Sequence, residues 1–310
     1  MLSPRRTVTP LLGPLAVVAL LAACGDDADR AGDGRLQIKA SFYPLAWMAE
    51  QVGGTHVAVD SLTEAGAEPH DLELTPSDVA SVGDADVVVY LHGFQPAVDD
   101  AVREAKPAAR FDAATAADLD LTFTPIEEGE EHEDEAGSVD PHFWLDPTRL
   151  VAVGEAFAEK LETLDPDNAD DYRANLAALT TELQTIDQRF TDGLASCTRR
   201  ELVTTHNAFG YLARRYGFEQ VGITGLTPEE EPSPTDLAAV IRFVEEHDVT
   251  TIYFETLVGP DIARTVAAES GAATAVLDPI EGLNDRSEGG DYLEVMASNL
   301  ANLRSGQSCP

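Results

Sequence analysis

The chain has 310 residues, of which 44% are hydrophobic and 25% are charged, as in a folded globular protein of one large domain or two. Its charge is strongly unbalanced, because 56 Asp and Glu face 20 Lys and Arg, for a formal net charge of -36. Such a surface repels nucleic acid and concentrates cations, so we expect no nucleic-acid partner. The alternative is that the acidic residues only keep the protein soluble.

The N-terminus predicts a lipoprotein signal peptide over residues 1–23. Its apolar stretch, Leu11–Ala23, follows two arginines and is too short to span a bilayer comfortably. The stretch runs into Leu21–Cys24, which resembles the lipobox of bacterial lipoproteins. We therefore expect Cys24 to carry a diacylglyceryl group and to anchor the protein on the outer face of the cytoplasmic membrane. The polar residues 24–35 are predicted to form a flexible tether. The alternative is a soluble secreted protein with a chance cysteine at this place.

Two cysteines remain once Cys24 is assigned to lipid. Outside the cytoplasm a pair of thiols tends to oxidise. We therefore predict a disulfide between Cys197 and Cys309 that fixes the C-terminus to the second half of the chain, and two free thiols are the alternative.

From Leu36 onward, short β-branched runs alternate with helical periods, a pattern typical of a mostly parallel α/β sheet. Strands are predicted at Leu36–Phe42, Val57–Leu62, Asp86–Leu91, Glu201–Thr205, Gln220–Thr224, Thr250–Glu255 and Ala273–Leu277. Thr75 and Asp146 each precede a proline and are predicted to cap the N-termini of helices.

An acidic segment, residues 127–140, interrupts this alternation. Seven of the nine residues from Glu127 to Glu135 are acidic, and their mutual repulsion favours an exposed, mobile loop. The segment is either a solvated spacer or a weak collector of metal ions through its carboxylates and His132.

A long helix is predicted over residues 166–195, because apolar residues recur at three- and four-residue spacing from Tyr172 to Leu194. A helix of this length extends about 40 Å, enough to join two lobes. We therefore predict an α/β protein with an N-terminal lobe, residues 36–165, and a C-terminal lobe, residues 196–310. The alternative is a core helix within a single domain.

Three histidines and one aspartate occupy comparable places in this pattern. His70 follows the second predicted strand, His142 lies just before a helix start, and His206 and Asp278 each follow a strand of the second lobe. Because open α/β sheets place ligands outside the carboxyl ends of their strands, we expect these four side chains to converge.

Three imidazoles and one carboxylate form a set of ligands that suits tetrahedral Zn²⁺. The same set suits Mg²⁺ or Ca²⁺ poorly, because those ions ask for six or more oxygens. Taken singly, each histidine is more often an ordinary surface or core residue than a ligand.

Four pieces of the sequence resemble the zinc-binding solute-binding proteins of ABC importers, the ZnuA-like members of the metal-binding cluster. These pieces are Pro69–Asp71 with Pro76–Asp78, Asp140–Pro147, His206–Leu212 and Leu277–Ile280. Their order and spacing match over nearly the whole chain after Leu36, and the piece around His142 is the most specific.

The resemblance implies two α/β lobes with mostly parallel sheets, joined by one rigid helix, and a metal ion in the cleft between them. It assigns His70 and His142 as ligands from the first lobe and His206 and Asp278 as ligands from the second. Manganese-binding relatives carry a carboxylate where His206 stands, so the resemblance favours Zn²⁺ over Mn²⁺ as the transported ion. Glu68 or a water could replace Asp278.

The resemblance also implies capture of Zn²⁺ outside the cytoplasm and delivery to an ABC-type permease, without catalysis and as a monomer. One alternative is a lipoprotein zinc hydrolase that uses the same histidines with Glu68 or Glu255 as general base, although no His-Glu-x-x-His motif is present. Another is an adhesin with a structural metal. Glu255 also ends a predicted strand, so it could orient an imidazole or cap the helix near Pro260.

Overall fold

The computed structural model describes residues 34–126 and 137–310. The predicted signal peptide, Cys24 and most of the tether lie outside the described residues, as does the part of the acidic segment that holds His132. No helix in the described ranges is both long and apolar enough to cross a membrane.

The first lobe contains a sheet of four parallel strands in the order β2-β1-β3-β4. The strands are β1 (Leu36–Ala40), β2 (Val57–Ser61), β3 (Val87–Tyr90) and β4 (Arg110–Asp112). The helices are α1 (Tyr43–Gly53), α2 (Pro76–Asp84), α3 (Pro96–Ala105), α4 (Ala114–Ala117) and α5 (Pro147–Leu164). The central strand β3 is buried along its whole length, which explains its uninterrupted apolar run.

The second lobe repeats this topology, with parallel strands in the order β6-β5-β7-β8. The strands are β5 (Glu201–Thr204), β6 (Glu219–Gly222), β7 (Thr251–Phe254) and β8 (Ala273–Val276). The helices are α7 (Gly210–Tyr216), α8 (Pro234–Glu246), α9 (Asp261–Ser270) and α10 (Tyr292–Gly306). In each lobe the chain crosses from one side of the first strand to the other, and such switch points open a crevice at the carboxyl ends of the strands.

The long helix α6 (Ala169–Leu194) has 26 residues and follows a 3-10 turn at Pro166–Asn168. Its apolar face is buried at Tyr172, Leu179, Leu183, Ile186, Phe190 and Leu194. It packs against α1 and α5 of the first lobe and α10 of the second, and one hydrophobic core cluster runs through both lobes. The predicted fold, two parallel α/β lobes with one long helix, is confirmed.

Local signals placed two helix starts correctly. Thr75 and Asp78 form a reciprocal capping box at the start of α2, and the Asp146 side chain accepts from the amide of Thr148 at the start of α5. The short strand β4 was not predicted, because it has only three residues and two of them, Arg110 and Asp112, are charged.

The structure contains the predicted disulfide between Cys197 and Cys309, which are 112 residues apart in sequence. The bond ties the segment after α6 to the residues that follow α10. Cross-linking two distant points reduces the conformational entropy of the unfolded chain, so this bond stabilises the second lobe.

Replacing both cysteines by alanine is expected to lower the free energy of unfolding by about 2–4 kcal/mol, measured by urea denaturation. Treating the wild-type protein with a reductant should lower its urea midpoint comparably, whereas the same treatment should leave the double variant unchanged. Equal midpoints for oxidised wild type and variant would contradict a stabilising bond.

Candidate metal site

Four buried side chains converge between the lobes: ligand atoms of His70, His142, His206 and Glu281 all lie within 4.8 Å of one another. The residues His142 and Glu281 are 0% exposed and His206 is 1% exposed. The His70 side chain is 8% exposed and lies nearest to solvent. Two of the four residues belong to each lobe, so the site exists only while the lobes are together.

The spacing of these atoms fits a small tetrahedral ion. Glu281 Oε1 lies 3.0 Å from His142 Nε2, 3.3 Å from His206 Nε2 and 3.4 Å from His70 Nε2. A tetrahedral ion with bonds of about 2.0–2.1 Å holds neighbouring ligand atoms about 3.3–3.4 Å apart. The buried Nε2 atoms of His142 and His206 make no hydrogen bond within the described ranges, and a cation between the four groups would satisfy both.

Two carboxylates orient the imidazoles from behind. Asp140 Oδ1 lies 2.8 Å from His142 Nδ1, and Glu255 Oε1 lies 2.8 Å from His206 Nδ1. A carboxylate at Nδ1 keeps the proton on that nitrogen and leaves the lone pair of Nε2 free for a metal. Glu255 therefore has the orienting position predicted from the sequence, whereas the role of Asp140 was missed although it begins the Asp-Pro-His piece.

Asp140 also corrects the predicted extent of the acidic loop. The side chain is buried, and its Oδ1 accepts from the backbone amide of His142 at 2.9 Å. The ends of the loop are held together where Phe123 donates to the Ser138 carbonyl and Gly137 donates to the Phe123 carbonyl. Asp140 therefore belongs to the site and not to an exposed segment.

The electrostatics of the site centre on the charge of Glu281. Burial opposes that charge, but the three imidazoles hold the pKa of Glu281 well below its usual range. Burial likewise opposes the charge of His206, yet the carboxylates of Glu255 and Glu281 raise its pKa well above the ordinary value. Burial lowers the pKa of His70. The ionised Glu281 thus requires a positive partner, which either protons on the imidazoles or a divalent cation can supply.

Asp278, predicted from the sequence as the fourth ligand, does not lie among the ligand atoms of this site. It is absent from the groups of side chains within the described ranges that could hold an ion. Its Oδ2 accepts from Thr256 Oγ1 at 2.9 Å, and its Oδ1 accepts from the Ile280 amide at 2.8 Å. The side chain of Asn299 binds both the amide and the carbonyl of Asp278, at 2.9 and 2.7 Å. Its carboxylate is therefore engaged in building a turn.

That turn presents Glu281. Ile280 has a φ of 59°, in the left-handed region that a β-branched residue rarely adopts. On one side, this conformation is held by the hydrogen bond that the Ile280 amide donates to the Asp278 carboxylate. On the other side, Trp144 Nε1 of the first lobe donates to the Pro279 carbonyl at 2.7 Å. An Asp before a proline often organises a turn, and this signal could have directed attention to the next carboxylate, Glu281.

Glu68, predicted as a possible substitute for the fourth ligand, lies beside the site. Its Oε1 accepts from the His70 amide at 3.0 Å. Burial and the charge of Glu281 raise the pKa of Glu68 to about 9. Glu68 forms a second group with Glu255 and Glu281, whose ligand oxygens lie within 4.8 Å of one another.

Known proteins are similar to this chain in sequence and fold. The family model described as zinc-uptake complex component A, periplasmic, matches residues 38–306. The chain is 34% identical over 308 residues to the zinc-binding lipoprotein AdcA of Streptococcus pneumoniae, covering 96% of this chain and 60% of AdcA. It therefore spans about 60% of the length of that relative. It is also 34% identical to the high-affinity zinc uptake system protein ZnuA of Bacillus subtilis, covering 93% of this chain and 94% of ZnuA.

Solved structures agree with these matches. The laminin-binding protein Lmb of Streptococcus agalactiae superposes with a TM-score of 0.76 at 32% identity, covering 88% of this chain and 99% of Lmb. The Zn(II)-bound ZnuA-like domain of Streptococcus pneumoniae AdcA superposes with a TM-score of 0.73 at 33% identity, covering 88% of this chain and 99% of that domain. With the family model matched from residue 38 to residue 306, the chain belongs to the zinc-uptake complex component A (ZnuA) family.

Proposed function

We propose that this protein captures Zn²⁺ outside the cytoplasm and delivers it to an ABC-type metal import permease. The observation that carries the proposal is the convergence of three imidazole Nε2 atoms and Glu281 Oε1, from two lobes, at the spacing of a tetrahedral zinc shell. Membership of a zinc-uptake family and the names of the relatives support it. Zinc is then the transported substrate and not a resident cofactor.

In this proposal His70, His142, His206 and Glu281 are the ligands, and Asp278 positions Glu281. Four protein ligands close the coordination sphere, whereas catalytic zinc usually keeps one position open for water. The relatives are named for zinc binding and zinc uptake, and these names give no support to the hydrolase alternative. The protein therefore acts as a binding protein and not as an enzyme.

Release of the ion follows from the division of its ligands between the lobes. The helix α6 packs against both lobes and so permits only a small relative displacement. A small displacement is sufficient, because metal–ligand bond lengths are strict. Docking onto the permease would separate the pair His70 and His142 from the pair His206 and Glu281.

We also propose that the protein is a monomer held at the outer face of the membrane by lipid on Cys24. The LAAC sequence at Leu21–Cys24 supports this anchor, and the relative AdcA is named a lipoprotein. The tether of residues 24–35 would then give the lobes freedom to reach the permease.

A second candidate function is adhesion, because the structural neighbour Lmb is described as a bifunctional protein with adhesin and metal-transporting activity. In an adhesin of the kind predicted from the sequence the metal would be structural, and its removal would unfold the protein. Metal removal therefore tests whether the metal is structural, as that form of the adhesin alternative requires.

Replacing His142 by alanine is expected to weaken zinc binding at least about 100-fold, because the ligand imidazole that Asp140 orients is lost. Calorimetry with a competing chelator measures the affinity, and elemental analysis measures the stoichiometry. His247→Ala is the matched control, because His247 is exposed and stacks on Phe243 away from the site. Equal losses of affinity in the two variants would argue against the site.

The roles of Asp278 and Glu281 are separated by a double-mutant cycle. Asp278→Ala is expected to weaken zinc binding about 10- to 100-fold by releasing the turn that presents Glu281. The double variant should bind zinc no more weakly than Glu281→Ala alone, because Asp278 acts through Glu281. Additive losses would instead indicate that Asp278 is itself a ligand.

Removal of zinc with a chelator is expected to leave both lobes folded, because the hydrophobic core and the disulfide do not depend on the ion. Adding free zinc at 1,000 times its dissociation constant should raise the free energy of unfolding by about 4 kcal/mol, measured by urea denaturation. His206→Ala should lose this stabilisation. Unfolding of the metal-free wild type would favour a structural metal over a transported one.

A further inference from the structure

The loop that carries His70 has only two buried residues. Residues 62–75 connect β2 to α2, and of these Thr63 and Pro69 alone are buried. The Leu72 amide donates to the Pro69 carbonyl at 3.4 Å and closes a turn around His70. Because the rest of the loop is partly or fully exposed, the position of this turn depends on what holds its two buried residues.

Gln95 holds both of them. It is 1% exposed, and its Nε2 donates to Thr63 Oγ1 at 3.0 Å and to the Pro69 carbonyl at 3.1 Å. Thr63 Oγ1 in turn donates to the Ser41 carbonyl at 2.8 Å, so it offers its lone pairs to Gln95. The orientation of the Gln95 amide is therefore fixed, because a carbonyl oxygen only accepts and the amide nitrogen is the donor of the side chain.

Gln95 does not cap the helix that it precedes. It stands at the N-cap position of α3, but its side chain makes no capping hydrogen bond, and glutamine is not among the residues that favour this position. Gln95 follows the carboxyl end of β3, so the crevice that gathers the ligands also brings it beside the turn at His70.

His70 differs from the other two imidazoles in how it is oriented. His142 and His206 each have a carboxylate at Nδ1, whereas no carboxylate of the described ranges lies within hydrogen-bond distance of His70 Nδ1. The ring of His70 instead lies edge-on against Phe94, with the ring centroids 4.7 Å apart. This contact limits the tilt of the imidazole but not the position of its backbone, so the backbone needs a separate support.

We propose that Gln95 is a positioning residue of the zinc site, which holds the backbone of His70 through the Pro69 carbonyl. Because metal–ligand distances are strict, a small shift of this turn carries Nε2 of His70 away from the other ligands. Removing a group that positions a ligand typically weakens metal binding about 10- to 100-fold. The inference rests on the proposed function, because it takes His70 as a ligand of zinc.

The test replaces Gln95 by methionine, which is also unbranched but donates no hydrogen bond. Gln307→Met is the matched control, because Gln307 is 2% exposed and its Nε2 donates to the Glu201 carbonyl, at the end of β5 opposite to His206. Calorimetry with a competing chelator measures zinc affinity in the wild type and in a His70→Ala background. Circular dichroism and urea denaturation establish that each variant is folded.

We expect Gln95→Met to bind zinc at least about tenfold more weakly than wild type, and Gln307→Met to bind it equally well. In the His70→Ala background, Gln95→Met should cause no further loss, because Gln95 acts through His70. A general loss of stability would not show this dependence on His70. Equal zinc affinity of Gln95→Met and wild type, or an equal loss in both backgrounds, would overturn the proposal.

Thr63→Val replaces Gln95→Met in the test if the latter does not fold. It removes the hydroxyl that ties Gln95 to the Ser41 carbonyl, and we expect it to weaken zinc binding only where His70 is present. A loss that is absent or independent of His70 would again overturn the positioning role. Wild-type affinity in His70→Ala alone would contradict the proposed ligand set instead, so the two failures are distinguishable.

Discussion

The carboxylate of Glu281 is the constraint on which the site depends. It is fully buried, and its Oε1 contacts imidazoles from both lobes, so its charge is balanced only where the lobes meet. A buried charge without a partner would cost several kcal/mol, whereas a divalent ion between the four groups supplies the missing charge and satisfies the nitrogens as well. The four metal-binding groups are therefore complete only where the two lobes meet.

The rest of the fold holds these ligands at fixed positions. The helix α6 and a continuous hydrophobic core join the lobes, and two buried hydrogen bonds link them next to the ligands. Trp144 Nε1 donates to the Pro279 carbonyl at 2.7 Å, and Tyr292 Oη donates to the Trp144 carbonyl at 2.6 Å. Trp144 follows His142 by two residues, and Pro279 precedes Glu281 by two, so a shift at this contact displaces a ligand from each lobe.

Charge acts at two ranges in this protein. The net charge of -36 raises the concentration of all cations near the surface without choosing between them. Selection falls to the cleft, where three imidazoles favour a borderline ion such as Zn²⁺ over hard ions. The carboxylates of Asp140 and Glu255 support this preference, because they hold two of the imidazoles in the tautomer whose Nε2 lone pair is free to bind a metal.

The sequence by itself determined the two α/β lobes, the long helix and the meeting of His70, His142 and His206, because strand periodicity and topology place the carboxyl ends of parallel strands along a common crevice. It also identified the pairing of Cys197 with Cys309, since only these two of the three cysteines remain once Cys24 is assigned to lipid. Only the tertiary structure brought Glu281, which the sequence had not suggested, beside the three imidazoles in place of Asp278. The left-handed conformation at Ile280 is held by Thr256, Asn299 and Trp144, which are distant in sequence, and no local pattern encodes a backbone angle that such contacts impose.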